Sequence, residues 1–78
     1  MKLSDTLLAA YNKQITMEIE ASLVYRQLGI VMAAADLPGM AQWLRVQADE
    51  EIGHAYQFID HVLDRDQVPT IGALAAPV

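Results

Sequence analysis

Glu51 and His54 form a Glu-x-x-His pair within QADEEIGH, a spacing that a helix sets on adjacent positions of one face. A carboxylate oxygen beside an imidazole nitrogen, with no sulfur, suits iron or manganese, with zinc as a further candidate. The sequence contains no cysteine. Thiolate zinc sites, iron–sulfur clusters, disulfides and cysteine nucleophiles are therefore excluded within it, and any metal must be held by carboxylates and imidazoles. Glu18, in ITMEIE, is the third candidate ligand. Two carboxylates brought together among apolar side chains repel each other unless a proton or a cation lies between them.

Positioning these groups requires two helices. Ser4 is a suitable N-cap, with Asp5 favourably placed in the first turn. From there Leu7, Tyr11, Gln14, Glu18, Ala21, Tyr25, Leu28 and Met32 recur at alternating spacings of four and three, which is one helical face. Asp36-Leu37-Pro38-Gly39 interrupts the pattern, and a proline is tolerated where a new helix begins. A second face follows through Met40, Leu44, Gln47, Glu51, His54, Phe58 and either His61 or Val62. The reading is a single domain over 1–78, with a helix at 4–34, a turn at 35–38, a helix at 39–65 and an extended tail at 66–78 that carries Pro69, Gly72 and Pro77. Gly29, inside the first helix, costs about 1 kcal/mol relative to alanine and marks either a close helix approach or an incidental substitution.

So short a joint predicts an all-α, antiparallel two-helix hairpin. A turn centred near position 36 sets Gln14 level with Phe58, Glu18 with His54, Ala21 with Glu51, Tyr25 with Gln47, Leu28 with Leu44 and Met32 with Met40. Glu18, Glu51 and His54 then share one depth.

Each candidate has a plainer reading. Glu51 ends the run Asp49-Glu50-Glu51, which by itself describes a solvated face; its place on the Met40–Leu44–Phe58 line argues for a ligand. His54 alone would be a core or boundary histidine, and its pairing with Glu51 changes that. Tyr25, two turns along from Glu18, is placed to hydrogen-bond a ligand, to donate an electron or only to pack. Gln14 and Gln47 are polar members of the stripes, suited to hydrogen-bonding the ligands. Glu50 is a candidate for a further ion or an ordinary surface residue. Glu20 reads as surface, His61 as a boundary residue and Trp43 as a packing group.

Composition narrows the classes further. A chain of 78 residues buries a smaller share of its surface than a larger one and is a candidate for oligomerisation. With 54% hydrophobic residues it is too apolar for disorder. A net charge of -5 with Lys2, Lys13, Arg26, Arg45 and Arg65 scattered gives no basic patch, so no nucleic-acid partner is expected. The longest uncharged apolar run, 28–35, falls far short of the roughly 20 residues of a membrane span. The N-terminus lacks the pattern of a secretory signal, so a soluble cytoplasmic protein is expected.

The segments LAAYNKQITMEIEASLVY (8–25), DLPGMAQWL (36–44), QADEEIGH (47–54) and LDRD (63–66) together resemble the first half of a prokaryotic non-haem ferritin. The resemblance covers nearly the whole chain as that family's first two helices and the start of its crossover loop. It implies a ferritin-like fold and a di-iron centre. Glu18 would be the first-helix ligand, Glu51 the carboxylate shared by two irons and His54 a ligand to one of them. Tyr25 would stand beside the centre and Glu50 near an auxiliary iron site. The implied activity is oxidation of Fe(II) by dioxygen or peroxide, a ferroxidase, in iron storage or detoxification. Manganese or zinc are substitute metals.

Di-metal bundles of this class take one Glu from each of two helices and a Glu-x-x-His from each of the other two, so this chain holds half the inventory. One expectation is that two hairpins pair as a homodimer or higher homo-oligomer and rebuild a four-helix bundle. The alternatives are a partial ferritin without activity of its own and a purely structural helical dimerisation module.

Overall fold

The computed structural model describes residues 1–77. Two helices, α1 (Asp5–Ala34) and α2 (Pro38–Leu63), lie side by side. Ser4 caps α1 in extended conformation, its Oγ accepting the Leu7 amide at 3.2 Å, with Asp5 in the first turn. The end of α1 folds back on itself: the Asp36 amide donates to the Ala33 carbonyl and the Leu37 amide to that of Met32. That pair of bonds requires a left-handed residue between helix and exit, and Asp36 supplies it at φ 64°. Leu37, at φ -115° and ψ 70°, is non-helical before Pro38, which opens α2 at a position where no amide is needed. The C-terminus of α2 repeats the device. Asp66, at φ 58°, donates to Leu63, and Gln67 donates to Val62. No helix among the described residues is long and apolar enough to cross a membrane.

The register follows the centre of the joint. Glu18 reaches His54, Tyr11 lies against Phe58 and His61, and Gly29 faces Ala41 and Leu44. The buried seam, however, is not the stripe that carries the ligands. Ile15 and Ser22 from α1 meet Ala41, Leu44, Ala48, Ala55 and Val62 from α2. Apart from Leu44, these positions repeat every seven residues along each helix, and the alanines let the helix axes approach closely. Ser22, fully buried, donates its hydroxyl proton to the Ala48 carbonyl at 2.8 Å, so the one buried polar side chain among the described residues is satisfied.

Two helices share only one line of contact, so the neighbouring stripes are left half-covered. Leu7, Leu28 and Met40, expected on the packed face, are 51%, 37% and 54% exposed. The hairpin measures 50 × 20 × 12 Å. Its least dimension is about one helix diameter, so it is a single layer with two broad faces. Its surface of 5359 Å² exceeds the roughly 4,700 Å² of a compact monomer of this mass.

Beyond α2 the chain forms neither helix nor strand and runs back along α1, its amides meeting side chains of that helix. This segment lies along one of the two faces. The ligand stripes lie on the other.

Candidate metal centre

Glu18 sits midway along α1, and Glu51 and His54 lie one turn apart on α2, so the interhelix register alone brings them together. One donor atom from each falls within 4.8 Å of the others. His54 Nδ1 stands 3.5 Å from Glu18 Oε2 and 3.6 Å from Glu51 Oε2. These separations are long for direct hydrogen bonds. They match donors arranged around a common centre: metal–ligand bonds of about 2.1 Å place ligand atoms roughly 3.0–4.2 Å apart. The donor set therefore fits a hard or borderline divalent cation such as iron.

The electrostatics describe a pair of carboxylates competing for one proton. Glu18 is held below its ordinary value of 4.5, chiefly by the hydrogen bond it receives from the Glu51 carboxyl and further by Gln14 and His54, against an opposing effect of burial. Glu51 is raised above 4.5 because its proton is engaged with Glu18, with burial and the Glu18 charge acting in the same direction and His54 opposing. The side chains of Glu18 and Glu51 are 16% and 20% exposed, while that of His54 is 51% exposed. The centre is thus walled on the hairpin side and open on the other. A cation arriving from the open side would offset the two carboxylate charges.

Gln14, one turn before Glu18, donates from Nε2 to Glu18 Oε1 at 2.9 Å. That bond occupies one oxygen and leaves Oε2 directed at His54. Further along the same stripes Tyr11 stacks on His61, with centroids 4.9 Å apart, and meets Phe58 edge-on. Arg65 fixes that imidazole by donating to its Nδ1 at 3.2 Å and to the His61 carbonyl at 3.0 Å. An aromatic cluster so closes one end of the ligand stripe.

Tyr25 is half-buried and Glu50 exposed, and both stand outside the three-residue group. Trp43 is 59% exposed. Glu20, read from the sequence as free surface, instead accepts the Ala75 amide at 3.2 Å. The returning segment and its acceptors Asn12, Thr16 and Glu20 went unseen in the sequence. The available signal was their spacing of four on an otherwise apolar helix.

An antiparallel two-helix hairpin with two carboxylates and an imidazole converging on one open face has the geometry of half a helical bundle. Comparison with known proteins places it more narrowly. The ferritin-like domain model matches residues 8–77, and the chain belongs to the ferritin family. It is 30% identical over 69 residues to a bacterial non-heme ferritin of Bacteroides fragilis, covering 88% of this chain and 43% of that protein. It is 38% identical over 58 residues to ferritin BfrB of Mycolicibacterium smegmatis, covering 74% of this chain and 32% of the relative. Among solved structures, an open-pore ferritin from the archaeon Archaeoglobus fulgidus superposes with a TM-score of 0.94 at 29% identity, over all of this chain and 48% of that one. A variant of the ferritin PmFTN soaked in iron superposes with a TM-score of 0.89 at 36% identity, over 96% and 47% of the two chains. The chain spans less than half the length of these relatives.

Proposed function

We propose that this protein binds Fe(II) as substrate through Glu18, Glu51 and His54 and, with a second copy of the hairpin closed over the open face, oxidises it as a ferroxidase in cytoplasmic iron storage or detoxification. The convergence of the three donors within 4.8 Å on an uncovered face carries the reading. Two copies facing each other bring four carboxylates and two imidazoles, and two divalent ions offset the four negative charges. The exposed apolar side chains of the ligand stripes, Leu7 and Leu28 on α1 and Met40 on α2, supply the adhesive.

In this reading the roles divide by geometry. Gln14 orients Glu18, and Glu51 supplies the second carboxylate. Half-exposed His54 lies nearest solvent and supplies a neutral nitrogen ligand. Each Fe(II) yields one electron to the oxidant, dioxygen or peroxide, and Tyr25 lies along the same face as a further electron donor. Glu50, outside the trio, would hold a third ion in transit. Manganese or zinc would bind the same donors without the same redox step.

One observation favours a second reading. The chain matches under half of its relatives' length, which favours a ferritin half whose ligands act only beside further helices. Anaerobic Fe(II) titration with solution mass separates the two. About one iron per chain in a dimer supports the ferroxidase, whereas a monomer without stoichiometric iron supports the inactive half.

A further inference from the structure

Along the chain the five basic residues are scattered, but the fold brings two of them together. Arg26 lies seven residues after Ile19 and Arg45 seven before Ile52, so both stand on the face opposite the ligands, towards the helix joint. They are ten and nine residues either side of position 36, about which Glu18 and His54 also register, and therefore stand level across the groove. Between them is a hollow of about 190 Å³ lined by Arg26, Gly29, Ile30 and Arg45. Gly29 brings no side chain to it.

The charges there do not balance. Arg26 Nη2 donates to Asp49 Oδ1 at 2.9 Å. Asp49 is one turn beyond Arg45, where a carboxylate can pair with an arginine of its own helix, yet it reaches across to α1 instead. Arg45 is left without an ion-pair partner among the described residues. Asp36 lines an adjoining hollow with Arg45 but forms no ion pair with it. Two guanidiniums therefore share one hollow with a single carboxylate, which is 69% exposed and screened by solvent. Glu18 and Glu51 relieve their repulsion through a proton, but a guanidinium does not give one up, so only an anion offsets this charge.

Each guanidinium is a planar fork of N–H donors that matches an edge of a carboxylate or phosphate. A carboxylate has one such edge and fills one fork. A tetrahedral oxyanion has several and serves two forks from different sides. At roughly 30 Å³ per water, the hollow has room for several waters, and so for an ion the size of phosphate. We propose that it binds a small tetrahedral oxyanion, free phosphate, held between Arg26 and Arg45. The site lies on the opposite face from Glu18, Glu51 and His54 and does not rest on the iron reading.

The test titrates metal-free, nitrogen-15-labelled protein with inorganic phosphate, at ionic strength held constant with chloride, and follows amide and guanidinium signals by NMR. Saturable shifts at Gly29, Ile30 and both guanidiniums are expected. Arg45→Gln weakens the affinity by at least about tenfold, the loss expected for a charge-assisted pair. Asp49→Asn, which releases Arg26, strengthens it. Lys13→Gln removes the same charge from α1 outside the hollow and leaves the affinity unchanged. All three positions are exposed, so the variants keep wild-type helicity by circular dichroism. Glycerol phosphate, titrated in parallel, binds more weakly than the free ion because its ester oxygen spoils one edge. The proposal is overturned by the absence of saturable shifts in the wild type, by an affinity unchanged in Arg45→Gln, by equal weakening in Lys13→Gln, or by tighter binding of glycerol phosphate.

Discussion

Replacing Glu51 by Gln separates a metal site from a merely structural acidic pair, because the two assign opposite signs to the same substitution. In metal-free protein the two carboxylates oppose each other's ionisation, which raises Glu51 above its ordinary value. The isosteric amide keeps a donor facing Glu18 and removes the competing charge, so Glu51→Gln without metal is as stable as the wild type or more so. With metal the order reverses. Free Fe(II) at a hundred times its Kd stabilises the wild type by about 2.7 kcal/mol. In a domain of this size each kcal/mol moves Tm by roughly 4–8 °C, so the shift is roughly 10–20 °C. If losing one ligand of three weakens binding about a hundredfold, the same metal concentration stabilises the variant by only about 0.4 kcal/mol, a few degrees at most. Anaerobic thermal unfolding followed by circular dichroism, at fixed protein concentration, reads all four states. A wild type indifferent to Fe(II), or a variant that responds as strongly, refutes the reasoning.

The same pair sets the pH dependence of the metal-free protein. Glu51, raised in the fold, contributes stability that is complete below its ordinary 4.5 and is lost as pH rises through its folded value. Glu18, lowered, contributes stability present above 4.5 and lost as pH falls through its folded value. Tm of the metal-free protein, relative to Glu51→Gln, therefore declines as pH is raised above about 4.5. Gln14→Leu removes the bond that aims Glu18 and lowers Fe(II) affinity by about tenfold or more with helicity intact, measured by anaerobic titration. At Gly29 an added Cβ would meet the Ala41 carbonyl at 3.5 Å and Leu44 Cβ at 3.7 Å, ordinary contact distances. Gly29→Ala therefore raises stability by about 0.5–1 kcal/mol in urea unfolding, which a clash at the seam would reverse.

Much of the hairpin is legible in the residues. Ser4, the Asp-Leu-Pro-Gly joint and the four-and-three spacing are local signals; the structure has helices at Asp5–Ala34 and Pro38–Leu63, so the second ends two residues before the expected 65, where the chain turns through Asp66. The register of Glu18 against His54 followed from the joint because a short turn between antiparallel helices leaves little freedom. The seam was harder to read. Apolar residues occur on nearly every side of α1, so hydropathy does not distinguish the ligand stripe from the buried line through Ile15 and Ser22. What selects that line is small size on α2 at Ala41, Ala48 and Ala55, a packing property that alternation of polar and apolar residues does not record.

The left-handed aspartates at positions 36 and 66 were hidden for a related reason: glycine ordinarily announces that conformation, and here aspartate takes it. The course of the segment after α2 was not legible because Asn12, Thr16 and Glu20 look like a solvated helix edge until a second segment is laid across them.

The most direct test of the central claim is anaerobic Fe(II) titration of the purified chain with solution mass measured on the same sample, followed by admission of air. The account predicts about one iron per chain in a dimer and rapid oxidation on adding air, both lost in Glu51→Ala. A monomer that binds no stoichiometric iron, or iron uptake unchanged in Glu51→Ala, would contradict it.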